Sequence, residues 1–323
     1  MKNIILFIIC GFLIFPNFAQ NYNGPESVEY NSTSNSYFIS NSNNGQILEL
    51  DENNNLSVFK SGLSVGPHGL EIVEEYIGPK WSGQVLYVCS GGRLFGYDTQ
   101  GNEVLNYNIN GTFLNGITKK ISSPYTANEV DLFITDFSAK KLYRYNIDEN
   151  IHYEVCSFNK NPNGVYYDNI NERLLVVFWG SNAPVYEIDI ANGTYVNLIN
   201  TGLSNLDGIT MDQCGNIFIS AWSSNAIHKY NFDFTSNEII IDGLSNPADI
   251  CYNQISNTFG IPNSGNNTVD FVSYSCETSS LNESINPYFT NKTIDLLGRT
   301  NTSSNLKIHI NENGKRQKKY ILK

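Results

Sequence analysis

The chain has 323 residues and a formal net charge of −11, from 20 Lys and Arg against 31 Asp and Glu. That length suits one large domain or two ordinary ones, and the acidity argues against a nucleic-acid partner. Hydrophobic residues make up 41% and aromatic residues 13%, including 20 Tyr and 18 Phe, which excludes a disordered chain and favours strands.

The N-terminus reads MKNIILFIICGFLIFPNFAQ. Lys2 precedes an apolar run from Ile4 to Phe15, followed by Pro16 and the small residue Ala19. This pattern predicts a signal peptide over residues 1–20, cleaved near Ala19 or Gln20. The run is shorter than the ~20 residues a span needs, so no transmembrane anchor is expected. Cleavage leaves five cysteines, Cys89, Cys156, Cys214, Cys251 and Cys276. An oxidising location permits a disulfide, but no spacing resembles a zinc pair. Most of the five read as small apolar residues in strands.

Six segments then share one frame. They begin PESVEY at Pro25, PHGLEI at Pro67, LNGITK at Leu114, PNGVYY at Pro162, LDGITM at Leu206 and PADICY at Pro247, at steps of 42, 47, 48, 44 and 41 residues. Each continues into a second strand, such as SYFISN, DLFITD or NIFISA, and a third, such as GQILEL or KKLYRY. The first five add a fourth strand, and the sixth shows three. Four short strands every ~40–50 residues predict propeller blades. The expected fold is all-β, a six-bladed β-propeller over 21–276 with mostly four-stranded blades. The missing outer strand of the sixth blade is expected from residues 20–23 or 277–283.

After Cys276 the composition changes. Residues 277–290 read as a polar linker. Residues 291–323 carry 8 Lys or Arg against 2 Asp or Glu, while residues 21–290 hold 11 basic and 29 acidic residues.

In a propeller the first strand of each blade lines the central channel. The Pro or Leu and the Gly of each frame hold a turn before that strand, and the residue between them faces the axis. That position is Glu26, His68, Asn115, Asn163, Asp207 and Ala248 in turn, with Asp249 one place later. Two carboxylates and two amide oxygens form a hard set that suits Ca²⁺, with Mg²⁺ or Mn²⁺ as alternatives, better than Zn²⁺ or Cu²⁺. Asn and Asp as turn caps are the plain alternative.

The frame P-x-G-I with its following strands resembles the NHL repeat. Residues 24–274 as a whole resemble the propellers of the gluconolactonase, regucalcin and senescence-marker superfamily. That resemblance implies a metal held by Glu26, Asn115, Asn163 and Asp207, with Asp207 also the general base. His68 in PHGLEI resembles the His of the paraoxonase turn and is the candidate helper. Phe113 and Gly116 stand where sugar-lactonase relatives often carry Arg and Asp, which leaves substrate recognition open. Phe113, Trp179 and Trp222 either make a more apolar mouth or pack in the core, with packing the favoured role. The tail segments IDLLGR (294–299) and NGKRQKKYILK (313–323) resemble the C-terminal sorting domain of type IX secretion cargo in the Bacteroidetes. The expectation is an exported divalent-metal-dependent hydrolase of a lactone or related ester. It would pass through the periplasm, meet the type IX machinery through its tail, and end secreted or at the cell surface. The competing expectation is a non-catalytic extracellular propeller that binds a glycan, peptide or surface partner. A propeller enzyme of the strictosidine-synthase kind is a third.

Overall fold

The computed structural model describes residues 21–77, 82–121 and 130–276, and beyond them three strands at 292–294, 306–310 and 316–320. The signal peptide, the linker and residues 277–283 lie outside the described residues. The chain divides into two compact units, Met1–Cys276 and Glu277–Lys323.

The first unit is a ring of antiparallel meanders. Blade 1 holds β1 (Pro25–Asn31), β2 (Ser36–Asn41), β3 (Gln46–Leu50) and β4 (Leu56–Lys60). Blade 2 holds β5 (Pro67–Ile77), β6 (Ser82–Ser90), β7 (Arg93–Tyr97) and β8 (Glu103–Asn108). Blade 3 holds β9 (Leu114–Ile121), β10 (Val130–Asp136), β11 (Lys141–Asn146) and β12 (Ile151–Ser157). Blade 4 holds β13 (Asn161–Asp168), β14 (Arg173–Trp179), β15 (Pro184–Asp189) and β16 (Thr194–Asn200). Blade 5 holds β17 (Leu206–Met211), β18 (Ile217–Ala221), β19 (Ala226–Tyr230) and β20 (Asn237–Ile241). Blade 6 has three strands, β21 (Cys251–Asn253), β22 (Thr258–Asn263) and β23 (Thr268–Ser273). The all-β, six-bladed expectation is therefore met. Residues 21–23 do not supply a fourth strand to blade 6; Tyr22 packs instead into the cluster between blades 6 and 1.

Local chemistry sets the hairpins. Asp51 Oδ1 accepts from the backbone N–H groups of Asn53 and Asn55, and Asp98 Oδ1 repeats this with Gln100 and Asn102. Such Asx turns close β3–β4 and β7–β8 tightly. Asn also takes left-handed positions at low steric cost, as at Asn35 (φ 51°) and Asn225 (φ 49°).

The core is divided among the gaps between blades. One buried apolar cluster fills each junction: 1–2 around Ile72, 2–3 around Tyr87, 3–4 around Phe178, 4–5 around Ile219, 5–6 around Phe259 and 6–1 around Val28. The last is the smallest, with Val28, Ile39, Leu48 and Cys251 buried. A disulfide joins Cys214, in the β17–β18 turn, to Cys276 beyond β23. Cys89, Cys156 and Cys251 are buried free thiols, as the apolar reading expects, whereas Cys214 and Cys276 are paired.

The second unit contains a three-stranded antiparallel sheet, β24 (Lys292–Ile294), β25 (Leu306–Ile310) and β26 (Arg316–Tyr320).

Candidate functional site at the channel mouth

In blades 1 to 5 the frame residues are not in the turn that the sequence predicts ahead of the first strand; only in blade 6 do Pro247–Asp249 precede it. In the other five blades they lie inside the strand, at a break in pairing. The ladder with the second strand skips between Pro25 and Val28, Pro67 and Leu70, Leu114 and Ile117, Pro162 and Val165, and Leu206 and Ile209. A bulge of this kind bends the strand and re-aims a side chain. It falls on Glu26, His68, Asn115, Asn163 and Asp207, so five blades aim the same register position from the same distortion.

The bulge frees backbone groups that need partners. Second-strand hydroxyls supply them in alternate blades. The N–H groups of Ser27, Gly116 and Gly208 donate to Ser40 Oγ (2.8 Å), Thr135 Oγ1 (2.9 Å) and Ser220 Oγ (2.7 Å). Thr135 and Ser220 then donate onward to the carbonyls of Asn163 (2.6 Å) and Ala248 (2.7 Å), each the ring residue of the next blade. These braces went unread in the sequence, although SYFISN, DLFITD and NIFISA place Ser or Thr alike.

Glycine has an equally specific task. A Cβ on Gly164 would lie 2.3 Å from the Asp207 carbonyl oxygen, and one on Gly116 would lie 2.5 Å from that of Asn163. Each glycine lets the next blade's ring residue approach. At the seam Asp249 occupies the glycine place and carries a carboxylate into the channel. Its N–H donates to the Glu26 carbonyl at 2.9 Å.

Of the expected residues, the structure joins Asn115 and Asn163 directly: Asn115 Nδ2 donates to Asn163 Oδ1 at 2.6 Å, and Asn163 Nδ2 donates to the Leu206 carbonyl at 3.1 Å. Glu26, Asp207 and Asp249 face one another electrostatically. Burial, then the Asp249 charge, pushes Glu26 from 4.5 up to about 7. Burial also pushes Asp249 from 3.8 up to about 7, against a hydrogen bond from Ser27. Asp207 is raised well above its usual range by burial, then by Glu26 and Asp249. Like charges confined in a poor dielectric hold their protons. The three are not a compact cage: among the described residues, Asp212, Cys214 and Cys276 are the group of three His, Cys, Asp or Glu donors lying within 4.8 Å of one another, and two of these form the disulfide.

His68 is held by ring packing and a backbone contact with Gly66. Its ring meets the edge of Phe113 at 4.6 Å, and Nδ1 is buried without a partner. Burial pushes it down to about 4, so it is neutral at pH 7. From Phe113 an arc of rings runs on through Phe137 (5.6 Å), Trp179 (6.1 Å) and Trp222 (4.9 Å). All four are half-buried rather than core residues. Trp222 reaches the Asp207 carboxyl closely enough to favour its ionised form.

Fold and site together define a six-bladed β-propeller with an acidic, aromatic-rimmed channel mouth. No family model matches the chain, and no curated protein is a significant match. Among solved structures the chain is similar to virginiamycin B lyase from Staphylococcus aureus, at 15% identity and TM-score 0.53, covering 80% of this chain and 88% of that one. It is similar to a protein of unknown function from Bacteroides thetaiotaomicron, at 13% identity and TM-score 0.61, covering 78% and 69%. An auxiliary nutrient binding protein from the same organism gives 9% identity and TM-score 0.60, covering 79% and 70%. Likeness at these identities shows the fold alone.

Proposed function

We propose that the protein hydrolyses a lactone or related ester at this mouth, with a divalent cation, Ca²⁺ first, held by Glu26, Asn115, Asn163 and Asp207. The observation that carries the reading is the convergence of crowded, proton-holding carboxyls with a hydrogen-bonded amide pair beneath an aromatic rim. Positive charge is what such a donor set lacks, and oxygen ligands fit a hard ion. Binding would require Asn115 and Asn163 to release their mutual hydrogen bond.

The cation would polarise a substrate carbonyl as a Lewis acid. Asp207 is the base that takes a proton from the attacking water. Its raised pKa means that it can do so only where added positive charge restores the carboxylate. Neutral His68 has a buried, unpaired Nδ1, so its ring would have to turn toward the mouth to hydrogen-bond the water or the leaving alcohol. The Trp179–Trp222 arm offers apolar surface to the acyl or alkyl part.

The test is a panel of lactones and aryl esters, assayed on the purified chain in chelator and then with Ca²⁺, Mg²⁺ or Mn²⁺. Turnover should require the cation. Asp207→Asn should lower kcat by about 100-fold or more while cation binding persists, and Glu26→Gln should weaken cation binding first. Absence of turnover with every cation refutes the hydrolase reading and leaves the propeller as a binder of a glycan, peptide or surface partner.

A further inference from the structure

At the far end of the first strands lies a second chamber, of about 380 Å³, lined from all six blades. Its size is that of a small-molecule site. Glu29, Glu71, Glu74 and Asp249 stand in its wall against a single cation, Lys119. Lys119 is already committed: Nζ lies 3.1 Å from Glu71 Oε1 and donates to the Ile72 carbonyl at 2.6 Å. Glu29 Oε1 accepts from the Ile72 N–H at 3.2 Å. Tyr30, Tyr166 and Tyr252 supply aromatic wall. The chamber therefore holds more carboxyls than cations, and burial raises the pKa values of Glu29, Glu71 and Asp249, so added positive charge is what would hold them ionised.

We infer that this chamber binds a small organic ammonium ion, such as an alkylamine or a short diamine. Three features favour it over a metal ion. The chamber carboxylates do not form a group with donor atoms within 4.8 Å of one another, as a coordination shell requires. An ammonium held between two oxygens at about 2.8 Å on opposite sides keeps them farther apart than that. Each ammonium of an amine or diamine carries a single charge, so at a given distance the fixed Lys119 ammonium repels it half as strongly as it repels a divalent metal ion, and tyrosine faces attract organic cations. Asp249 belongs to both ends of the channel, so it is left intact in the test. The inference stands apart from the hydrolase reading, because Glu29, Glu71 and Lys119 play no part at the other mouth.

The probes are butylamine and 1,4-diaminobutane, titrated calorimetrically into the full chain, with butyrate and calcium chloride as comparisons. Both amines should bind and butyrate should not; calcium should not displace them. Glu29→Gln should weaken amine binding by about tenfold, the scale of one charge-assisted hydrogen bond. If that variant does not fold, Glu74→Gln, at the cavity rim, should weaken it by about twofold to threefold. No heat with either amine at 10 mM (roughly the weakest useful affinity), or unchanged affinity in the variant that folds, overturns the inference.

Discussion

Ser27 Oγ donates a 2.9 Å hydrogen bond to Asp249 Oδ2, joining two residues 222 positions apart. The same oxygen accepts from the Leu70 N–H at 3.3 Å. One hydroxyl thus touches blades 6, 1 and 2. The ring closes here without a strand of one terminus completing the sheet of the other among the described residues. Closure rests on this contact, on the bridge between Ser27 and Asp249, and on side chains such as Tyr37 against Phe271 at 4.6 Å.

Ser27→Ala should therefore destabilise the propeller by about 1–3 kcal/mol, the cost of leaving a buried acceptor unpaired. The loss should be larger at pH 8 than at pH 5.5, because the hydrogen bond favours the charged form of Asp249. Thermal melts at the two pH values check this; an equal loss at both would mean the Asp249 carboxyl is not the partner that matters.

Stability of the cation-free protein should fall as pH rises. Glu26 and Asp249 titrate near 7 when folded but near 4.5 and 3.8 when unfolded, so the native state holds more protons between about pH 4 and 7. Their favourable contribution is lost on passing through 7. His68 opposes this between 6.5 and about 4, where the unfolded state binds the proton. The carboxyls outnumber it, so the melting temperature in chelator should be higher at pH 5.5 than at pH 8. Calcium should stabilise more at pH 8, by about 2.7 kcal/mol at a hundred times its dissociation constant. A flat profile, unmoved by calcium, would leave the ring residues with only a structural part at the strand bulges.

Gly164→Ala should cost about 2 kcal/mol or more, since its Cβ would sit 2.3 Å from the Asp207 carbonyl and backbone must move. The shift would also displace Asp207, so turnover should fall with stability. Denaturant melts measure the first effect and initial rates the second.

Reducing the Cys214–Cys276 bond, or replacing Cys276 by Ser, should lower stability by about 4 kcal/mol, the chain-entropy value for a loop of its 62-residue separation. It secures the end of the one blade with three strands. A melting temperature indifferent to reductant would show that β23 is held without it.

The basic tail is proposed as an export address read by type IX machinery. Deleting residues 291–323 should retain the chain in the periplasm with the propeller's melting temperature unchanged. Fractionation and immunoblotting decide it, and normal surface delivery would end the proposal.

The repeat period, the strands and the six register positions were legible in sequence, because turn residues and alternating apolar residues are local signals. Spacing placed Glu26, Asn115, Asn163 and Asp207 among those six positions, and the resemblance to the lactonase propellers singled them out as a set. What they do next depends on closure. Whether a frame residue sits in a turn or a bulge is a matter of pairing with a second strand. Asn115 and Asn163 reach each other because Gly116 admits the neighbouring backbone, which no single segment reveals. Asp249 read as an irregularity of the sixth frame, and it became the shared carboxylate of both channel ends only when blade 6 met blade 1. The aromatic arc, the Cys214–Cys276 pair and the second chamber are likewise products of the ring. They join residues from different blades, and sequence periodicity carries no information about which blades become neighbours across the seam.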